Sequence, residues 1–177
     1  MGKKLQIHST LACDVLIIGA GGAGLRCAAL LQERRPALKI MAVTKVAHPQ
    51  KSHTSTAQGG MAAVDPQDKS DHSLFHMFDT WKGGDCSSDQ NVVKKIVEGG
   101  WEEIQWLERR GIHFSRNEGG GISKRQFGGH TVDFGKGDAL RAVFEADRTG
   151  KGIMDTAWGE ALKGGVQFIN STVVTEL

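Results

Sequence analysis

The 177-residue sequence predicts a doubly wound α/β fold on a parallel sheet, and three features carry that expectation. The apolar run Asp14-Val15-Leu16-Ile17-Ile18 stops abruptly at a glycine cluster, as a buried parallel strand does before a tight turn. Good helix formers then run from Leu25 to Glu33, closed by Arg34, Arg35 and Pro36. Lys39-Ile40-Met41-Ala42-Val43 reads as a second strand, so strand, turn, helix and strand fit the roughly 30 residues of a βαβ unit.

Residues 44–70 carry neither period and predict a long ordered loop, a feature that is usually functional. Asp71 is placed to cap a helix over 72–81 with Leu74, Phe75 and Phe78 on one face. Asp89 is placed to cap a longer helix over 89–110, in which Val92, Val93, Ile96, Val97, Trp101, Ile104 and Leu107 recur at helical spacing and Gly111 marks the stop. Gly99-Gly100 would cost that helix about 1 kcal/mol each and could break it. Both helices are expected to pack around the bound ligand. Residues 112–137 read as short strands between glycines, and 139–146 as helix. Ile153, Met154, Ala157, Trp158, Ala161 and Leu162 form a helix face ended by Gly164-Gly165. Residues 166–169 and 172–177 read as strands, the second cut short at Leu177. The domain division expected is a polar tail, 1–12, and one unit, 13–177.

Composition narrows the classes. A net charge of +2 gives no reason to expect a nucleic-acid partner. Glycine, 24 residues with only three prolines, is about twice the usual ~7%, which points to tight turns and close backbone approach. Cys13, Cys27 and Cys86 form no C-x-x-C pair, so they read as buried reduced thiols rather than metal, Fe–S or disulfide ligands. No metal site is expected. The start of the chain lacks the pattern of a signal or transit peptide, and no run approaches the ~20 apolar residues of a membrane helix.

Gly19-Ala20-Gly21-Gly22-Ala23-Gly24 matches G-x-G-x-x-G between strand and helix. In that pattern the first glycine turns the chain, the second admits a pyrophosphate, and the third lets helix pack on strand. The phosphate then meets free N–H groups and the positive end of the helix dipole. The acidic residue that would hold an adenosine ribose in an NAD site, about 20 residues on, is replaced by Thr44 and Lys45. A typical NAD site is therefore disfavoured.

The segment Thr44-Lys45 through Lys51-Ser52-His53-Thr54-Ser55-Thr56-Ala57-Gln58-Gly59-Gly60 is more specific. With the glycine turn before it, the sequence resembles the flavoprotein subunits of succinate dehydrogenase and quinol:fumarate reductase. Further matches are His76 with Asp79-Thr80-Trp81-Lys82-Gly83-Gly84-Asp85, Gln126-Phe127-Gly128-Gly129-His130, and Ala146-Asp147-Arg148-Thr149-Gly150. The resemblance runs over 12–177 and corresponds to the N-terminal third of a family member.

It implies a Rossmann-like FAD-binding domain, incomplete at its C-terminus, with FAD bonded covalently to His53. A neutral imidazole is a competent nucleophile near pH 7. It also implies that Gly19, Ala20, Gly21, Gly22, Ala23, Gly24, Thr44, Lys45, Ser52, Thr54, Ala57, Gln58, Gly59 and Gly60 contact the cofactor. The implied activity interconverts succinate and fumarate by hydride transfer with FAD. Electrons would pass to an iron–sulfur subunit and membrane-anchor subunits, with the chain peripheral on the cytoplasmic face of the cell membrane. The family's dicarboxylate-clamping residues would lie beyond the equivalent of Leu177, in a longer chain or on a second one, so the sequence alone is expected not to oxidise succinate. His130 and residues 147–150 are expected to shape the flavin and substrate region without catalysing. Two departures concern the loop: the spacer 46–51 is one residue longer than expected, and Lys51 replaces an arginine. His48 is a second candidate nucleophile but reads as a surface residue. A soluble aspartate-oxidase-like flavoenzyme, which would lack His53, and a non-catalytic cofactor-binding module are the alternatives.

Overall fold

The computed structural model describes residues 9–177, so most of the expected tail, 1–8, lies outside the described residues. In chain order the elements are β1 (Val15–Ile18), α1 (Gly22–Arg34), β2 (Ile40–Val43), two 3₁₀ turns (Pro49–Lys51 and His53–Thr56), β3 (Met61–Ala62), α2 (Ser73–Gly83), α3 (Gln90–Arg109), β4 (Lys124–Val132), β5 (Gly137–Val143), α4 (Thr149–Lys163) and β6 (Gln167–Ile169).

The expected βαβ unit is present. β1 and β2 pair in parallel, Val15 opposite Ile40, and β6 joins the other side of β2, giving the order β1-β2-β6. Central β2 is buried throughout, and its Ile40 and Ala42 pack in one core with Leu25 and Ala28 of α1 and Met154, Ala157 and Ala161 of α4. Full burial of Leu25 and of Met154 contributes roughly 1.5–3 kcal/mol each relative to exposure, and of each alanine less. β1 corrects the expectation of a buried strand: Leu16 and Ile18 are half-exposed, since its other face has no covering element among the described residues. Residues 172–177 are not a strand. They run instead as irregular chain beside 44–46, with Thr172 N–H donating to the Thr44 carbonyl at 3.0 Å.

A second, antiparallel sheet, β3-β5-β4, departs most from the sequence reading. The expected helix over 139–146 is mostly strand β5. Ala139, Arg141 and Val143 point inward while Leu140 is exposed, a period of two that the local helix propensity of Ala-Leu-Arg-Ala concealed. Pairing with β4 and β3 supplies the backbone partners that a helix would have supplied internally.

Helices α2 and α3 join this half through a second core of Ala29, Ala63, Ile104, Trp106, Leu107, Ile112, Phe114 and Val143. Asp89 caps α3 as expected, its carboxylate accepting from Asn91 N–H at 2.8 Å and Val92 N–H at 3.2 Å. α3 runs unbroken through Gly99 and Gly100 but turns its buried face toward Trp106, leaving Val92 and Ile96 exposed. Asp71 does not cap α2. His72 does, with Nδ1 accepting from Leu74 N–H at 3.1 Å, while Leu74 itself is exposed. The charged residues around 102–110 are not a simple solvated face: Arg26 pairs with Glu103 at 2.6 Å, and Arg110 reaches Glu33 and Glu160. Cys27 and Cys86 are exposed rather than buried.

Asp71 has a different partner. Arg141, fully buried, receives its carboxylate in a two-point pair at 2.9 and 2.8 Å. Arg141 also donates to Asp79 at 2.8 Å and to the Thr131 carbonyl at 2.6 Å. One guanidinium thus ties the start of α2, its middle and the β4–β5 hairpin together.

Candidate cofactor site

The glycine turn sits at the carboxyl end of β1, where open α/β sheets bind ligands. Gly19 has φ +106° and its N–H donates to the Val43 carbonyl at 2.8 Å, so the turn is fastened to β2. Gly24 is required by contact: a Cβ there would lie 1.9 Å from the Gly19 carbonyl oxygen. Helix α1 begins immediately, with Gly21 as its side-chain-less N-cap, so its first amides have no intrahelical acceptors, and that of Gly22 donates to Thr54 Oγ1 at 3.1 Å.

A cavity of about 470 Å³ opens beside this turn. It is lined by 18–21 of the turn, 43–46 after β2, 51–54 of the loop and 172–174. Gly19, Ala20, Gly21, Thr44, Lys45, Ser52, His53 and Thr54 therefore converge on one space from three separate stretches. Gly22, Ala23 and Gly24 form the helix turn beneath it. Thr44 is buried and Lys45 exposed, so the place of the absent acidic residue offers a hydroxyl and an ammonium. This cradle of glycine backbone, helix-end amides and apolar wall fits a dinucleotide.

His53 opens the second 3₁₀ turn with its imidazole exposed and without a hydrogen bond among the described residues. The hydroxyls around it build the turn instead of lining a ring site: Ser55 donates to the Ser52 carbonyl at 2.7 Å and Thr56 to the His53 carbonyl at 2.8 Å. His48 is half-buried rather than a surface residue. Its Nδ1 caps the first 3₁₀ turn by accepting from Gln50 N–H at 3.2 Å, and its ring meets Trp158 edge-on.

Ala57, Gln58, Gly59 and Gly60 do not line the cavity. They lead away toward β3 along a second wall. Arg125 donates to the Gln58 carbonyl at 2.6 Å and to the Gly59 carbonyl at 3.0 and 2.9 Å, and the Ala57 carbonyl accepts from Gly150 N–H at 2.8 Å. A Cβ on Gly59 would touch the Phe127 ring at 2.9 Å. Arg125 had a sequence signal, its place beside the Phe127-Gly128-Gly129 segment. Residues 172–174 had none, because only the pairing of β6 with β2 brings them to the cavity.

Neither α2 nor α3 lines the cavity, contrary to expectation. They carry a polar cluster of their own. Among the described residues, His76, buried on α2, has no partner for Nδ1, and neither has His130 on β4; the two rings are 6.2 Å apart. Burial, and then the Arg141 charge, pushes His76 down to about 4 and lowers His130 as well.

Residues 14–177 match the family described as FAD binding domain. The succinate dehydrogenase flavoprotein subunit of Coxiella burnetii is 43% identical over 155 residues, covering 88% of this chain and 26% of that protein. The 8-methylmenaquinol:fumarate reductase flavoprotein subunit of Wolinella succinogenes is 39% identical over 158 residues, covering 89% and 24% respectively. An E. coli quinol fumarate reductase structure is similar with a TM-score of 0.77 at 37% identity, over 90% of this chain and 26% of that one. The chain thus spans about a quarter of the length of the relatives it matches. Across nearly its whole sequence, from the strand before the glycine turn onward, the chain belongs to the FAD-binding domain family.

Proposed function

We propose that this chain forms the dinucleotide-holding part of an FAD-dependent oxidoreductase that interconverts succinate and fumarate, with the cofactor attached at His53. The supporting observation is the exposed His53 imidazole at the mouth of the cavity that the glycine turn lines. In this reading 13–177 is one FAD-binding unit. The stretch Gly19, Ala20, Gly21, Gly22, Ala23 and Gly24 receives the pyrophosphate, because the helix dipole and the first-turn amides other than those bonded to Val43 and Thr54 favour an anion there. Thr44 and Lys45 receive the ribose. Ser52 and Thr54 hold the His53 turn, and Ala57, Gln58, Gly59 and Gly60 line the approach to the flavin ring.

When bound, FAD supplies two-electron redox chemistry and an 8α-methyl carbon open to attack by an imidazole nitrogen. His53 would hold the flavin through an imidazole nitrogen, and the attachment would need an external two-electron oxidant. His53 provides the nucleophile, and its lack of a hydrogen-bond partner among the described residues leaves a lone pair free for that role.

The names of the relatives support the substrate pair, and the similar Sdh1 structure from Mycobacterium smegmatis is that of a complex. An iron–sulfur subunit and membrane-anchor subunits are the proposed partners. No described helix is long and apolar enough to cross a membrane, so attachment to the cytoplasmic face of the membrane would run through those partners.

The test is mass spectrometry of the His53 peptide after acid precipitation of the chain from its own cell. A peptide heavier by one FAD is expected, and His53→Ser should release all flavin to the supernatant while still binding it. Complete release from the unaltered chain would sink the attachment and favour a soluble, aspartate-oxidase-like flavoenzyme.

A further inference from the structure

Gly22 occupies a position that the G-x-G-x-x-G pattern leaves open to any residue. The structure nonetheless has no room there. A Cβ on Gly22 would lie 2.9 Å from Thr54 Cγ2 and 3.3 Å from Thr54 Oγ1. That same hydroxyl accepts the Gly22 N–H at 3.1 Å. Thr54 therefore caps α1 from 32 residues away, in place of the side chain that the N-cap Gly21 lacks.

The other side of the turn is equally tight. A Cβ on Gly150, in the first turn of α4, would lie 1.9 Å from the Thr54 carbonyl oxygen. The turn that bears His53 is thus seated between the starts of two helices, with a glycine at each contact. Ser55 and Thr56 close that turn on itself. Thr54 carries its side-chain hydrogen bond to α1, and among the described residues its own hydroxyl proton is uncommitted.

We propose that Thr54 is a positioning residue: by fastening the His53 turn to the first turn of α1, it couples the seating of a pyrophosphate on that helix to the placement of the imidazole for attachment. The role rests on the reading of His53 given above. It predicts a division of labour, in which the fingerprint backbone sets affinity for the dinucleotide and Thr54 sets how efficiently the held flavin is attached. Gly22 and Thr54 then form a matched pair, one without a side chain because the other reaches over it.

The test is a cycle of variants made in the chain as its own cell produces it. Acid-stable flavin is measured on each, and FAD affinity on the same variants carrying His53→Ser. Gly22→Ala should lower the acid-stable fraction by about fivefold, and adding Thr54→Ser, which removes Cγ2 but keeps the hydroxyl, should restore it to within about twofold. Thr54→Val keeps the shape and loses the cap, so attachment should fall about fivefold, and by more than FAD affinity falls. The affinity measurement separates folding from positioning, since a general loss of structure would lower FAD affinity together with attachment. Failure of Thr54→Ser to rescue Gly22→Ala, full attachment in Thr54→Val, or affinity falling as far as attachment would each overturn the role. Flavin wholly released from the unaltered chain would instead overturn the attachment at His53, a result distinct from any of the variant outcomes.

Discussion

Two regions of the molecule fasten distant stretches of chain by opposite chemistry. Around His53 the ties are neutral: backbone amides, hydroxyls and glycine contacts hold the turn against α1 and α4, and the imidazole is left in the open. Around Arg141 the ties are ionic and buried, with Asp71, Asp79 and the Thr131 carbonyl converging on one guanidinium. The difference follows from what each region must do. Carboxylates beside a pyrophosphate would repel it, and a backbone that meets one must come close to the ligand. A support that only holds α2 on the hairpin can bury charges, provided each is paired.

Arg141→Met breaks the ionic region most severely. It leaves Asp71 and Asp79 buried beside each other without a counter-ion, and a loss of about 3–5 kcal/mol is expected by chemical denaturation. An unchanged midpoint would show that the cluster is no more than a surface pair. Gly24→Ala is the corresponding break in the neutral region. Its Cβ would force the Gly19 carbonyl away, and FAD affinity should fall at least about tenfold, or about 1.4 kcal/mol, in a titration of flavin fluorescence.

The pH dependence of stability sharpens the contrast, because it belongs to the ionic region. His76 faces Arg141, Asp71, Asp79 and His130, and it holds its proton more weakly in the fold, at about 4, than at the ordinary 6.5. Its contribution to stability is therefore complete above pH 6.5, declines as pH falls from there toward 4, and is level below. His76→Phe should flatten that decline in urea midpoints measured across the window. An unchanged slope would remove His76 from the account. The smallest effect is expected of Asp89→Ala, which takes one cap from α3 at about 1 kcal/mol and leaves flavin binding unaltered, since α3 does not line the cavity.

Most of the parallel half was legible in the sequence, because its signals are local. A glycine turn between a strand and a helix has few other solutions, and Asp89 ahead of an apolar periodicity marks a helix start wherever it occurs. The antiparallel half was not. Strand β5 carries residues of good helix propensity, and only its pairing with β4 and β3 reveals the alternation of Ala139, Arg141 and Val143. Asp71 reads as a cap for the same reason: the competing partner, Arg141, lies 70 residues away.

By itself the sequence determined the βαβ unit, the glycine turn, the stretch bearing His53 and the kind of ligand they suit, since each depends on residues within a few positions of one another. The tertiary structure decided which of those stretches share a cavity. It brought 172–174 beside Thr44, carried Gln58 and Gly59 to Arg125, and set Thr54 against Gly22 and Gly150. Those choices rest on packing and hydrogen bonds between segments tens of residues apart, where the contact depends on how whole elements stack and not on what stands next in the chain.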